Sequence, residues 1–152
     1  MDRLLTTVNE KMGTAYNSML INKYRDMNCA LGPHKDDETC LEPDASISTL
    51  SLGAVRRMHV SLNGNKNHLV KTITLTPGSL FTVMPDFQQL YFHSIAAGKR
   101  TFSKEKKVRY SVTFRRLPPK QTVPVVPITD GEPGSGSGSG IYKYAIEFIS
   151  QI

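Results

Sequence analysis

Two histidines and an aspartate are the residues of this chain best suited to chemistry: His34 and Asp36, separated by Lys35, and His93 at the end of the run Gln89-Leu90-Tyr91-Phe92-His93. Two imidazoles and one carboxylate make a three-ligand face for Fe(II) and leave the opposite coordination positions open for a cosubstrate and oxygen. A solvated surface turn can carry the same His-x-Asp triplet without any metal. His93 adds weight because it closes an apolar, strand-like stretch in which an imidazole must find a partner. A core histidine bonded to backbone is the competing account of that residue. His59 and His68 lack comparable company and read as ordinary strand or hairpin residues.

A second constellation lies in residues 108–116, where side chains alternate between faces with a period of two. Val108, Tyr110, Val112 and Phe114 fall on one face, and Arg109, Ser111, Thr113 and Arg115 on the other. An apolar core face thus opposes a cationic site face. At about 3.3 Å per residue the two arginines lie roughly 20 Å apart at Cα, and their long side chains can lean inward to bracket a small anion. A guanidinium fork suits bidentate binding of carboxylate better than a lysine would. Arg116, beside Pro118, reads as solvated.

The elements that must position these groups are mostly strands. Leu4, Leu5, Val8 and Met12 recur at helical spacing near the start. Residues 47–52, 55–62, 69–75, 79–84, 89–93 and 108–116 read as strands, and Asn63-Gly64 is a hairpin signal. Many short strands separated by turn residues indicate two packed antiparallel sheets.

With these blocks in hand the chain resembles the AlkB family of iron and 2-oxoglutarate dependent nucleic-acid demethylases. The likeness runs in order from about residue 15 to 117, through Tyr16-Asn17-Ser18-Met19-Leu20-Ile21-Asn22-Lys23-Tyr24-Arg25-Asp26, His34-Lys35-Asp36-Asp37-Glu38, Ser51-Leu52-Gly53-Ala54-Val55-Arg56, Pro77-Gly78-Ser79-Leu80, Tyr91-Phe92-His93-Ser94 and Arg109-Tyr110-Ser111-Val112-Thr113-Phe114-Arg115. The resemblance implies a mainly β fold with a short N-terminal helix, a double-stranded β-helix or jelly roll. It implies His34, Asp36 and His93 as iron ligands, and Asn22, Tyr24 and Arg109 around 2-oxoglutarate, with Arg109 on the distal carboxylate. Arg115 matches a second arginine, close to the inner carboxylate and the substrate base. Ser111 stands where the family usually has asparagine, so its contact to the cosubstrate is shorter or water-mediated. Asp37 matches an acid that approaches the flipped base, and Glu38 beside it is a further substrate-side candidate. The implied activity is oxidative removal of methyl groups from base nitrogens with release of formaldehyde. A 2-oxoglutarate hydroxylase of protein or small molecule, and an inactive nucleic-acid-binding module, are the alternatives.

Composition agrees with a nucleic-acid partner. The net charge of the 152 residues is +6, and Lys99, Arg100, Lys104, Lys106, Lys107, Arg109, Arg115, Arg116 and Lys120 stand against a single acid in that region, Glu105. Such a patch neutralises phosphates and releases counterions; a solubilising loop is the plainer account. Arg56 and Arg57 extend it toward the substrate side. A methylated base in single-stranded or flipped form is the expected substrate, since a stacked base is out of reach. No apolar stretch approaches the roughly 20 residues of a membrane span. The start of the chain carries no signal-peptide pattern, and Cys29 and Cys40 give no disulfide framework. A monomer in the cytoplasm or nucleus is expected.

Residues 1–117 read as the dioxygenase core and 118–133 as a proline-rich tail. Residues 134–140 alternate glycine and serine in the manner of an engineered flexible linker. The appended segment 141–152 is apolar. Written ahead of Asp2, it places Ile149, Ile152, Leu4 or Leu5, Val8 and Met12 at spacings of three or four. That pattern favours circular permutation, with 141–145 as a strand before one continuous helix, over a tethered partner peptide.

Overall fold

The computed structural model describes residues 2–36, 41–42, 45–98 and 108–118, and the backbone of Ile141–Glu147. Helix α1 (Asp2–Met12) leads into β1 (Ser18–Tyr24), β2 (Leu31–His34), β3 (Ile47–Gly53), β4 (Arg56–Leu62), β5 (Asn65–Leu75) and β6 (Leu80–Val83). Then come α2 (Pro85–Leu90), β7 (Tyr91–Ile95), β8 (Arg109–Arg115) and β9 (Ile141–Glu147). The strands build a five-stranded sheet, β6-β3-β8-β1-β9, and a four-stranded sheet, β2-β7-β4-β5. All the pairings are antiparallel, as the expected jelly roll requires.

Helix α1 forms because its apolar residues share one side, and it stops where the chain supplies a left-handed residue. Gly13 has φ 63°, and the Thr14 amide donates to Asn9 O at 3.1 Å, closing a Schellman cap. Asn9 then fixes the entry to β1: its Nδ2 donates to Tyr16 O at 2.9 Å and its Oδ1 accepts from Tyr16 N at 2.8 Å. Leu5 and Val8 pack on Tyr16, Met19, Val112 and Phe114, so the helix covers the outer face of the five-stranded sheet. Leu4 and Met12, expected in the same stripe, are exposed.

A second core lies between the sheets, where Tyr24, Cys29, Met58, Val60, Leu75 and Ile95 cluster with Phe81 and Phe87 against them. Strand β8 belongs to both layers. Val112 and Phe114 face the helix, while Arg109, Ser111, Thr113 and Arg115 are buried on the inner side. The expected alternation is present, but the polar face is as dry as the apolar one.

Several boundaries differ from the sequence expectation. Residues 89–93 do not form one strand, because Gln89 and Leu90 end α2 and β7 begins at Tyr91. Pro85 at the helix start and Asp86 in its first turn favour that helix. Strands β1 and β2 were not expected as strands. Gly32 and Pro33 are poor strand formers, and β2 tolerates them because it is an edge strand. The Asn63-Gly64 hairpin is present, with Gly64 at φ 88° between β4 and β5. The strand expected over 141–145 runs to Glu147 and pairs with β1 along seven positions, from Ser18↔Glu147 to Tyr24↔Ile141. The tail beyond 118, the linker and the junction at 148–152 lie outside the described residues.

Candidate metal and cosubstrate site

His34 ends β2, Asp36 follows two residues later, and His93 sits in the middle of β7 directly opposite His34 in register. The three side chains therefore meet although 59 residues separate the histidines in sequence. One ligand atom from each lies within 4.8 Å of the others. The rings lie against each other, centroids 4.2 Å apart, and the carboxylate faces both, with His93 Nε2 at 3.5 Å from Oδ2 and His34 Nε2 at 3.9 Å from Oδ1. His34 Nδ1 donates to Gly32 O at 2.9 Å, which fixes the tautomer and leaves Nε2 as the basic nitrogen facing the cluster. Arg115 Nη2 donates to Asp36 Oδ1 at 3.3 Å. The backbone of Asp36 is held by α2, where the Gln88 side chain accepts from Asp36 N at 3.3 Å and donates to Asp36 O at 3.4 Å. No sequence pattern marks Gln88; its role follows only from where α2 is placed.

Burial, reinforced by neighbouring His34 and opposed by Asp36, pushes His93 down to about 4. The imidazole is thus neutral and able to ligate at ordinary pH. The folded chain resists protonating His93 more than the unfolded chain does. Its contribution to stability is therefore intact above about pH 6.5 and is lost as the pH falls toward 4. We expect the urea midpoint of the metal-free protein to drop across that window, and His93→Gln to flatten the drop. Equal pH slopes for the two proteins would count against it.

The same pocket is lined by Asn22 and Tyr24 of β1, Thr49 of β3, and Arg109, Ser111, Thr113 and Arg115 of β8, with Leu31, Met58, Leu75, Phe81 and Ile95 as apolar walls. Pairing of β1 with β8 sets Asn22 opposite Ser111 and Tyr24 opposite Arg109. The Tyr24 hydroxyl bonds Arg109 and Ser111, and burial outweighs those cationic and hydrogen-bonding neighbours to raise its pKa. Arg109 Nη2 donates to Ser51 Oγ at 3.0 Å, and its guanidinium carbon lies 4.8 Å from the Tyr24 ring centre. Among the described residues nothing bonds Arg109 Nε, Arg109 Nη1 or Asn22 Oδ1, although all three are buried. Buried guanidinium donors without a protein partner are suited to a carboxylate. The donor sets fit a metal bound by two imidazoles and a carboxylate, and an anionic cosubstrate beside it.

Residues 2–115 match the family model described as the 2OG-Fe(II) oxygenase superfamily. The chain belongs to that superfamily. As a 2OG-Fe(II) oxygenase it is 30% identical over 125 residues to "DNA oxidative demethylase ALKBH2" of Mus musculus, covering 78% of this chain and 51% of the relative. It is 30% identical over 123 residues to "Alpha-ketoglutarate-dependent dioxygenase alkB homolog 3" of Rattus norvegicus, covering 76% of this chain and 40% of that one. The oxygenase thus spans about half the length, or less, of these curated relatives. Its fold matches the solved structure of OsALKBH1 with a TM-score of 0.51 at 23% identity, over 64% of this chain and 48% of the other.

Two expectations for this oxygenase need correction. Arg56 does not reach toward substrate: it is one of the most deeply buried side chains, and its guanidinium bonds backbone carbonyls. Arg109 and Arg115 are not part of a surface patch either, since both line the pocket. Arg116, read as solvated, is half-exposed and pairs with Glu42 at 2.5 Å, while Arg57 is exposed. His59 and His68 stay apart from the candidate metal cluster, and the buried Cys29 thiol donates to Asp26 Oδ1 at 3.6 Å. Asp37, Glu38, Cys40, Lys99, Arg100, Lys104, Lys106, Lys107 and Lys120 lie outside the described residues.

Proposed function

We propose that the chain uses Fe(II) and 2-oxoglutarate to remove methyl groups oxidatively from base nitrogens of RNA or DNA. One observation carries this reading: the His34, Asp36 and His93 cluster opens into the same pocket as a buried arginine with unused donors. In this reading His34, Asp36 and His93 hold the metal. Arg109, braced by Tyr24 and Ser51 with Asn22 and Ser111 alongside, receives the distal carboxylate of 2-oxoglutarate. Arg115, next to Asp36, serves the inner carboxylate and the base. When bound, iron would activate dioxygen, the oxidant, with 2-oxoglutarate giving two of the four electrons as it becomes succinate and carbon dioxide and the N-methyl group giving the other two as it is hydroxylated; the hydroxymethyl group then leaves the base nitrogen as formaldehyde.

The chain's own part is placement. The Gly32 carbonyl orients the His34 ring, Gln88 holds the Asp36 backbone, and Arg115 compensates the carboxylate. Met58, Leu75, Phe81 and Ile95 give the pocket apolar walls. Asp37 and Glu38, next in sequence after Asp36, are the substrate-side candidates that the family resemblance supplies. The substrate in this reading is a single-stranded or flipped nucleotide, because a base stacked in a duplex cannot reach the cluster. Formaldehyde release from RNA and DNA oligonucleotides carrying N1-methyladenine, N3-methylcytosine or N6-methyladenine tests the proposal. Turnover of 2-oxoglutarate without formaldehyde from any of them would favour a hydroxylase of protein or small molecule instead.

The proposal extends to chain organisation: residues 1–117 are the oxygenase core, 118–133 a proline-rich tail, 134–140 a glycine-serine linker, and β9 a strand returned to the edge of β1 in a permuted order. All seven residues of β1 are in register with that strand, which covers the edge of β1 that β8 leaves open. Removing residues 134–152 is therefore expected to lower the thermal midpoint by more than about 5 °C, the shift of a destabilisation of one to two kcal/mol in a domain this size. A shortened chain that melts with the full one would make β9 a dispensable appendage.

A further inference from the structure

Strand β2 carries His34 and is poorly secured. It lies at the edge of its sheet with β7 as its one strand neighbour. The two strands are in register at Leu31↔Ile95 and His34↔His93, with an irregularity between, where Pro33 offers no amide hydrogen. Yet β2 and β7 bear the two histidines whose separation defines the metal cluster. An edge strand held by a broken ladder is free to slip in register unless something else fixes it.

Arg56, the first residue of β4, sits at the far end of this strand pair and is not among the residues lining the pocket. Its Nε and Nη2 donate to Ala96 O at 3.2 and 2.7 Å, just past the end of β7. Its Nη1 donates to Asp26 O at 3.3 Å, and its Nη2 also to Cys29 O, in the loop that enters β2. Among the described residues no carboxylate forms a salt bridge with it. The guanidinium carbon also lies 5.5 Å from the Tyr24 ring centre. Beside it the Gly98 amide donates to Met27 O at 2.7 Å, and a Cβ on Gly98 would come within 3.2 Å of Met27 Cβ and far closer to its terminal methyl. The joint is therefore closely packed as well as hydrogen-bonded.

We propose that Arg56 is a positioning residue that bolts the start of β2 to the end of β7 and thereby sets the His34–His93 separation. The inference rests on the metal reading of those histidines. A planar fork reaching carbonyls on two separate segments does what a lysine point charge cannot, since an ammonium cannot satisfy both sides with one geometry. Ligand sets tolerate only about 0.5 Å of misplacement, so slack at one end of a short strand is felt at the other.

Co(II), read by its visible absorption, serves as the metal probe, with hydrogen exchange of the full chain as a second readout. Arg56→Lys keeps the charge and is expected to weaken Co(II) binding about ten-fold or more, the loss typical of outer-shell partners. Amide exchange should rise over residues 29–34 and not over β1, β3 and β8. Gly98→Ala, which wedges the same joint without touching Arg56, should act in the same direction and stands in if Arg56→Lys does not fold. Wild-type Co(II) affinity in a folded Arg56→Lys, or exchange rising uniformly across both sheets, would overturn the proposal. Failure of the unaltered chain to bind Co(II) would instead overturn the metal reading, and local exchange at 29–34 would then decide the clamp alone.

Discussion

Asp36→Ala is expected to take formaldehyde release to background and to weaken Fe(II) or Co(II) binding by more than the roughly 10–100-fold that loss of an outer-shell partner costs. The carboxylate is the central member of its cluster, within 3.9 Å of both imidazoles and 3.3 Å from Arg115. Removing it deletes one of the three proposed ligands and takes a negative charge away from Arg115 and both histidines. The fold should survive, because Asp36 contributes to neither hydrophobic cluster. Circular dichroism and thermal unfolding near wild type, with metal binding lost, is the expected pair of results. Wild-type turnover in this variant would remove the three residues from the metal assignment.

Arg109→Lys should raise the half-saturating concentration of 2-oxoglutarate by at least about ten-fold, equivalent to roughly 1.4 kcal/mol at the carboxylate. Arg109 is almost fully buried, stacks over Tyr24 and bonds Ser51, so its unused Nε and Nη1 donors are held in a fixed orientation. Lysine shares neither the planar fork nor the stacking. The maximal rate at saturating cosubstrate should fall much less than the affinity. An unchanged saturation curve would mean that the distal carboxylate is held elsewhere.

Much of the candidate site was legible because residue types suited to binding a metal or an anion stand out in the sequence. His34, Asp36, His93, Asn22, Tyr24, Arg109, Ser111 and Arg115 all come together in one pocket. Alternation along β8 was readable since a strand has to divide its side chains between two faces. Strand β1 was hidden because its inward positions include Asn22 and Tyr24, polar or amphipathic groups that disturb the apolar pattern. Strand β2 was hidden by Gly32 and Pro33, residues that ordinarily mark a turn. Arg56 was misread for a different reason: a cation next to Arg57 looks like surface, and only the loops around Asp26, Cys29 and Ala96 reveal carbonyls waiting for it. Those loops are remote in sequence, so no local pattern could have disclosed them.

The double burial of β8 sets the limits within which this protein can vary. Its helix-facing side, Val112 and Phe114, supplies cohesion, and truncating Phe114 to alanine would cost on the order of 3–5 kcal/mol. Its inward side withdraws two guanidinium groups from water and leaves donors of Arg109 without partners among the described residues. Apolar replacements on that inward side would remove desolvation costs and are expected to make the domain more stable while emptying the pocket of its chemistry. Selection for thermal stability alone would therefore drift toward a jelly roll without buried guanidinium groups, and a screen that ranks variants by melting temperature would enrich the ones that have lost them.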